Sequence, residues 1–94
     1  MESNLKRGAV VISKSGRDKG RYFIIYEIVS AEYVLLADGH IRKIAKPKLK
    51  KVKHIILTKD CCDAIASKFE ENKIVFDSEI FSALKSFNTS ETKT

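Results

Sequence analysis

Apolar positions in the first part of the chain fall in short dense runs separated by polar, glycine-bearing stretches, the pattern of strands joined by tight turns. Ala9-Val10-Val11-Ile12 is a β-branched run closed by Ser13-Lys14-Ser15-Gly16-Arg17-Asp18-Lys19-Gly20, a loop rich in turn formers. Arg21 to Val29 is a longer β-branched and aromatic run, too apolar to keep one face in water. These two predict a hairpin with a polar, basic tip. Ser30-Ala31-Glu32 interrupts the pattern, and Tyr33 to Ala37 resumes it. Asp38-Gly39 predicts a two-residue type I′ turn, with a return strand from His40 to Ala45. Beyond Pro47 and Lys48-Leu49-Lys50-Lys51, Val52 to Leu57 predicts a fifth strand. Five short strands in so little chain predict a small barrel, which limits open edges by curling on itself.

The periodicity changes near Thr58. Asp60 suits an N-cap and Asp63 the first turn of a helix, with Cys61, Ile65, Ala66 and Phe69 near one stripe that ends at Asn72. A second helix is predicted from Asp77 or Ser78, with Ile80, Phe81, Leu84 and Phe87 on one face and Lys85 toward its C-terminal end. Helices this short are marginal alone, so both are expected to pack on the barrel. The predicted fold is therefore mainly β: a five-stranded small barrel over 1–58, a two-helix extension over 59–87, and a polar, frayed tail over 88–94.

Length narrows the function. Ninety-four residues suit one compact core and leave little room for an enclosed substrate cavity, which weighs against an enzyme. No serine sits in a nucleophile motif and no glycine-rich segment has a P-loop pattern. His54 with Asp60, Cys61, Cys62 and Asp63 can be drawn as a metal site, but it lacks a C-x-x-C pair and a second nearby histidine, and neither metal nor cofactor is expected. The longest apolar runs fall far short of the roughly 18 residues that span a bilayer, and the polar start Met1-Glu2-Ser3-Asn4 has no signal-peptide h-region. Adjacent cysteines are poorly placed for a structural disulfide. Together these predict a soluble, unexported chain with reduced thiols in the cytoplasm.

Charge sharpens the reading. Met1 to His54 carries 13 Lys and Arg against 5 Asp and Glu, a balance of +8, while Ile55 to Thr94 carries 5 against 7, a balance of −2. A surplus confined to one structural unit is the footprint of a binder of phosphate backbones, although a plain solvated face has the same composition. The first basic element is the loop holding Lys14, Arg17, Lys19, Gly20 and Arg21. Gly20 suits the positive φ that a sharp return requires. The loop is expected to present its cations and its backbone N–H groups to phosphate, with Asp18 holding a neighbouring arginine. The second element is Arg42, Lys43, Lys46, Lys48, Lys50, Lys51 and Lys53, of which alternation would send about half to the same surface. Tyr22, Tyr26 and Tyr33 are either core residues or platforms for bases, and core is the commoner role of an aromatic in a barrel strand.

The segment from Gly8 to Val29, with its strand, basic loop, glycine at Gly20 and second apolar strand, resembles a KOW motif. The likeness runs on through Tyr33-Val34-Leu35-Leu36-Ala37-Asp38-Gly39 to His54-Ile55-Ile56-Leu57-Thr58. Over about half the chain it is similar to archaeal and eukaryotic large-subunit ribosomal KOW proteins and their short bacterial relatives. The resemblance implies an SH3-like barrel that binds structured RNA, ribosomal RNA foremost, as a permanent ribosomal component or a transient factor. Helical RNA hides its base edges, so such a surface should read shape and phosphates with weak sequence preference. The rival expectation is a non-catalytic SH3-like protein-interaction module, with the helices as a docking surface. The lack of any Trp speaks against an aromatic peptide groove.

Overall fold

The structure, a computed structural model, describes residues 5–89. Its elements in chain order are β1 (Ala9–Ser13), β2 (Tyr22–Ile28), β3 (Tyr33–Ala37), β4 (Lys48–Lys51), a 3₁₀ turn (Val52–His54), β5 (Ile55–Cys61), α1 (Asp63–Glu70) and α2 (Asp77–Thr89). The strands form one antiparallel sheet in the order β4-β3-β2-β1-β5. The chain is thus a small β domain followed by two helices.

The sheet is strongly curled, and the connection from β4 to β5 requires it. These strands stand at the two ends of the order, which in a flat sheet would separate them by about 19 Å. They are joined by the three residues Val52–His54, and four Cα steps reach at most about 14 Å even when fully extended. Alternation within the strands sorts the core into two sides. Val10, Ile24 and Ala37 face the helices and pack with Ile65, Phe69, Val75, Ile80 and Leu84. Ala9, Val11, Phe23, Ile25, Val34 and Leu36 form the inner side with Ile55, closed by Leu5 and Val52. A bulge between Ile25 and Glu27 keeps β2 and β3 in phase. Both sides of β1 and of the first half of β2 are therefore buried although helices cover only one, while Leu49 on β4 and Ile56 and Leu57 on β5 stay exposed. Phe23 lies on the inner side and is fully buried, so Phe23→Ala would cost about 3–5 kcal/mol.

Several elements differ from the expected ones. His40 to Ala45 is not a strand; the fourth strand is Lys48–Lys51, and the fifth starts at Ile55 and runs on to Cys61. Asp60 lies in β5, where its N–H donates to Thr58 Oγ1 at 3.1 Å, and is not a helix cap. Instead α1 follows Cys62 and closes on Asn72, whose φ of 58° lets Lys73 N–H reach Lys68 O at 2.8 Å and Asn72 N–H reach Phe69 O at 3.2 Å. This left-handed residue with paired returning bonds is a Schellman ending. On α2, Ile80 and Leu84 are buried and Phe87 is half-buried, but Phe81 is exposed. Asn88, assigned by pattern to the tail, belongs to α2 and bonds Tyr22; residues 90–94 of that tail lie outside the described residues. No helix among the described residues is long and apolar enough to cross a membrane.

Candidate nucleic-acid interface

The loop between β1 and β2 folds back tightly on itself. Gly20 N–H donates to Ser13 O at 2.9 Å, Lys19 N–H to Gly16 O at 3.2 Å and Arg21 N–H to Asp18 O at 2.9 Å. Those three N–H groups are occupied by carbonyls of the hairpin itself, which takes them out of the set expected to meet phosphate. Gly20 has φ of +87°, which its turn needs and which a side chain would strain. Around it Lys14, Arg17 and Lys19 are exposed.

Two buried carboxylates join this loop to the segment that follows β3. Asp18, 6% exposed, accepts from Arg42 Nη2 at 3.0 Å and Nε at 3.3 Å. Asp38, 1% exposed, accepts from Arg21 Nη2 at 3.2 Å. Each loop thus contributes an acid to the other's arginine, and the two are held by a pair of crossed ion pairs. Asp38 also shapes its own segment: its Oδ1 accepts from His40 N–H at 2.9 Å and Arg42 N–H at 2.8 Å. A carboxylate that gathers two backbone donors and an arginine replaces the hairpin that Asp38-Gly39 suggested. Arg21 Nε is buried and has no partner.

Helix α2 fixes both loops from below. Asp77 Oδ1 accepts from Ile44 N–H at 2.7 Å. Gly39, at φ +77°, lies so close to Asp77 O and Phe81 N that a Cβ there would collide with backbone. At the far end of the helix, Asn88 accepts from Tyr22 N–H at 3.0 Å and donates to Tyr22 O at 3.4 Å, at the exit of the first loop. Packing against β2 and bracing the loops at both ends gives α2 its place in the fold.

The predicted binding residues therefore divide. Lys14, Arg17, Lys19, Lys43, Lys46, Lys51 and Lys53 are exposed. Arg21 and Arg42 are partly buried and paired to the two aspartates, so they organise the surface as much as they display charge. Lys48 is half-buried, and Lys50 is 9% exposed. Lys48 and Lys50 pair with Leu36 and Val34 in register, on the inner side of the sheet. The Lys50 stem crosses that apolar side, and its Nζ emerges to donate to Ser15 O at 3.1 Å. A residue expected as a phosphate ligand is thus a strut between β4 and the first loop. The 3₁₀ turn meets the same loop, because Lys14 N–H donates to His54 O at 2.8 Å. Lys53 lies beside that contact.

Most of the cations expected from the sequence are exposed, but the acids that organise them carry no local signal of their partners. Asp38 and Asp77 went unrecognised in this role, and Asp18 was assigned a neighbouring arginine where the partner lies 24 residues away. The signal available was a lone acid inside a basic loop, which names a function but not its partner. Tyr22 and Tyr26 are core residues, with Tyr22 on Phe87 at 5.3 Å and Tyr26 edge-on to Phe69 at 5.7 Å. The drawn metal site does not assemble: among the described residues no group of three or more His, Cys, Asp or Glu is placed to hold an ion. Burial pushes the Cys62 thiol up to about 11, with Cys61, Asp63 and Asp60 adding to the effect, and burial also raises Cys61.

Compared with known proteins, the chain matches no protein-family model, and no curated protein matches it.

Proposed function

We propose that this chain is a cytoplasmic RNA-binding protein on an SH3-like KOW barrel, which docks without catalysis on structured RNA, ribosomal RNA foremost. The observation that carries the reading is the crossed Arg21–Asp38 and Arg42–Asp18 pairing. It neutralises the two acids within the basic region and fuses two loops into one surface, leaving Lys14, Arg17, Lys19, Lys43 and Lys46 facing water. A rigid array of cations of this kind suits a phosphate backbone, and a curled sheet whose central strands are buried on both sides suits a barrel.

Sedimentation tests the reading. The protein should travel with the large ribosomal subunit at low salt and be released as salt rises, and absence from ribosomes at low salt would remove the proposal. Replacing Lys14, Arg17 and Lys19 together by alanine should weaken RNA binding without unfolding the domain. Three lost phosphate contacts reduce the log–log salt slope by about 2 to 3. A second reading, a protein-interaction module, has its own support in a groove of about 710 Å³ between α1 and α2, lined by Cys61, Cys62, Ile65, Ala83 and Phe87 among others.

A further inference from the structure

Of the two rings on α2, Phe87 packs on Tyr22, whereas Phe81 is 42% exposed. Phe81 is not alone: the exposed His40 ring lies against it, with centroids 5.4 Å apart and planes at 44°. The pair is held from behind. Gly39 sits against the backbone of Asp77 and Phe81, and Ile44 N–H is bonded to Asp77, so the segment bearing His40 is fixed on both sides of it. The same segment continues into the exposed Lys43 and Lys46. Lys43 is three residues from His40, at most about 11 Å along the backbone.

Exposed rings beside exposed cations serve no purpose on fully paired RNA, whose bases face inward and whose phosphates need only charge. Unpaired nucleotides use both, a ring for the base and cations for the flanking phosphates. We propose that His40 and Phe81 form a stacking platform for an unpaired base. The preferred ligand is then an RNA helix interrupted by a bulge or loop, with Lys14, Arg17 and Lys19 on the paired part. This rests on the RNA reading above and names the class of RNA. The flanking lysines favour a nucleotide over an apolar peptide as the occupant.

The test compares two synthetic RNAs by fluorescence anisotropy with the full chain: a blunt duplex of about two helical turns, and the same duplex carrying a bulge of unpaired adenosines with 2-aminopurine at its centre. The bulged RNA should bind more tightly by about fivefold to a hundredfold, the scale of one stacked base, and its 2-aminopurine emission should fall on binding. Phe81→Leu keeps apolar bulk at an exposed position; it should leave duplex affinity unchanged while removing both the preference and the quenching. His40→Gln should give a smaller loss of the same kind. Equal affinity of the native protein for both RNAs, with salt-sensitive duplex binding intact, overturns the platform and leaves the RNA reading standing. Phe81→Leu that keeps the bulge preference but loses a protein partner overturns it as well and makes the patch a protein contact. Binding of neither RNA removes both proposals.

Discussion

Asp18→Asn sets the geometry of the interface against its net charge. The substitution removes a negative charge from the basic region and takes the formal charge of the chain from +6 to +7, so long-range electrostatics alone predicts tighter RNA binding. The crossed pairing predicts the opposite. Asp18 accepts both its bonds from Arg42, whose side chain is 30% exposed and can swing to water once the carboxylate is gone. That escape keeps the cost below the 3–5 kcal/mol of a fully buried broken pair, at about 1–2 kcal/mol. For a domain of this size it corresponds to a fall in melting temperature of about 4–16 °C. The coupling between the loops cannot exceed that energy, so RNA affinity should drop by up to about 5- to 30-fold. Circular dichroism melting and anisotropy with the duplex RNA measure the two effects on the same sample. A variant that melts lower yet binds as tightly as the native protein, or more tightly, would refute the idea that the pairing shapes the surface.

Two further outcomes follow from the glycines and the thiols. Gly39→Ala should cost about 2–4 kcal/mol in urea unfolding, because its Cβ meets the backbone of α2; Gly20→Ala, with nothing within 4 Å, should cost only about 1 kcal/mol of backbone strain. Equal losses would mean that Gly39 does not seat against the helix. Cys62 should react slowly with iodoacetamide at pH 8, since a folded-state value near 11 leaves only about one thiol in a thousand ionised there, and its rate should climb about tenfold per pH unit up to pH 10. Fast labelling at pH 8 that levels off above about pH 9 would place that thiol outside its buried setting.

What the sequence by itself determined was the part of the fold whose signals lie close together in the chain and meet no long-range competitor. β-Branched and aromatic runs placed β1, β2 and β3, because side-chain alternation and dense apolar runs are local signals. Gly20 was legible because a tight return requires positive φ wherever it occurs. The charge division at His54 needed only counting. Tertiary structure decided the rest. Asp38-Gly39 did not turn a hairpin, because a buried carboxylate found Arg21, His40 and Arg42, and α2 left no room for a side chain at Gly39. Lys50 became a strut and Phe81 an outward ring because the curl of the sheet and the seating of α2 set which side each one faces. The pairing of Asp18 with Arg42 joins residues 24 apart along the chain. No local pattern encodes such a contact, because the distance between two side chains is set only once every intervening strand, turn and bulge is in place.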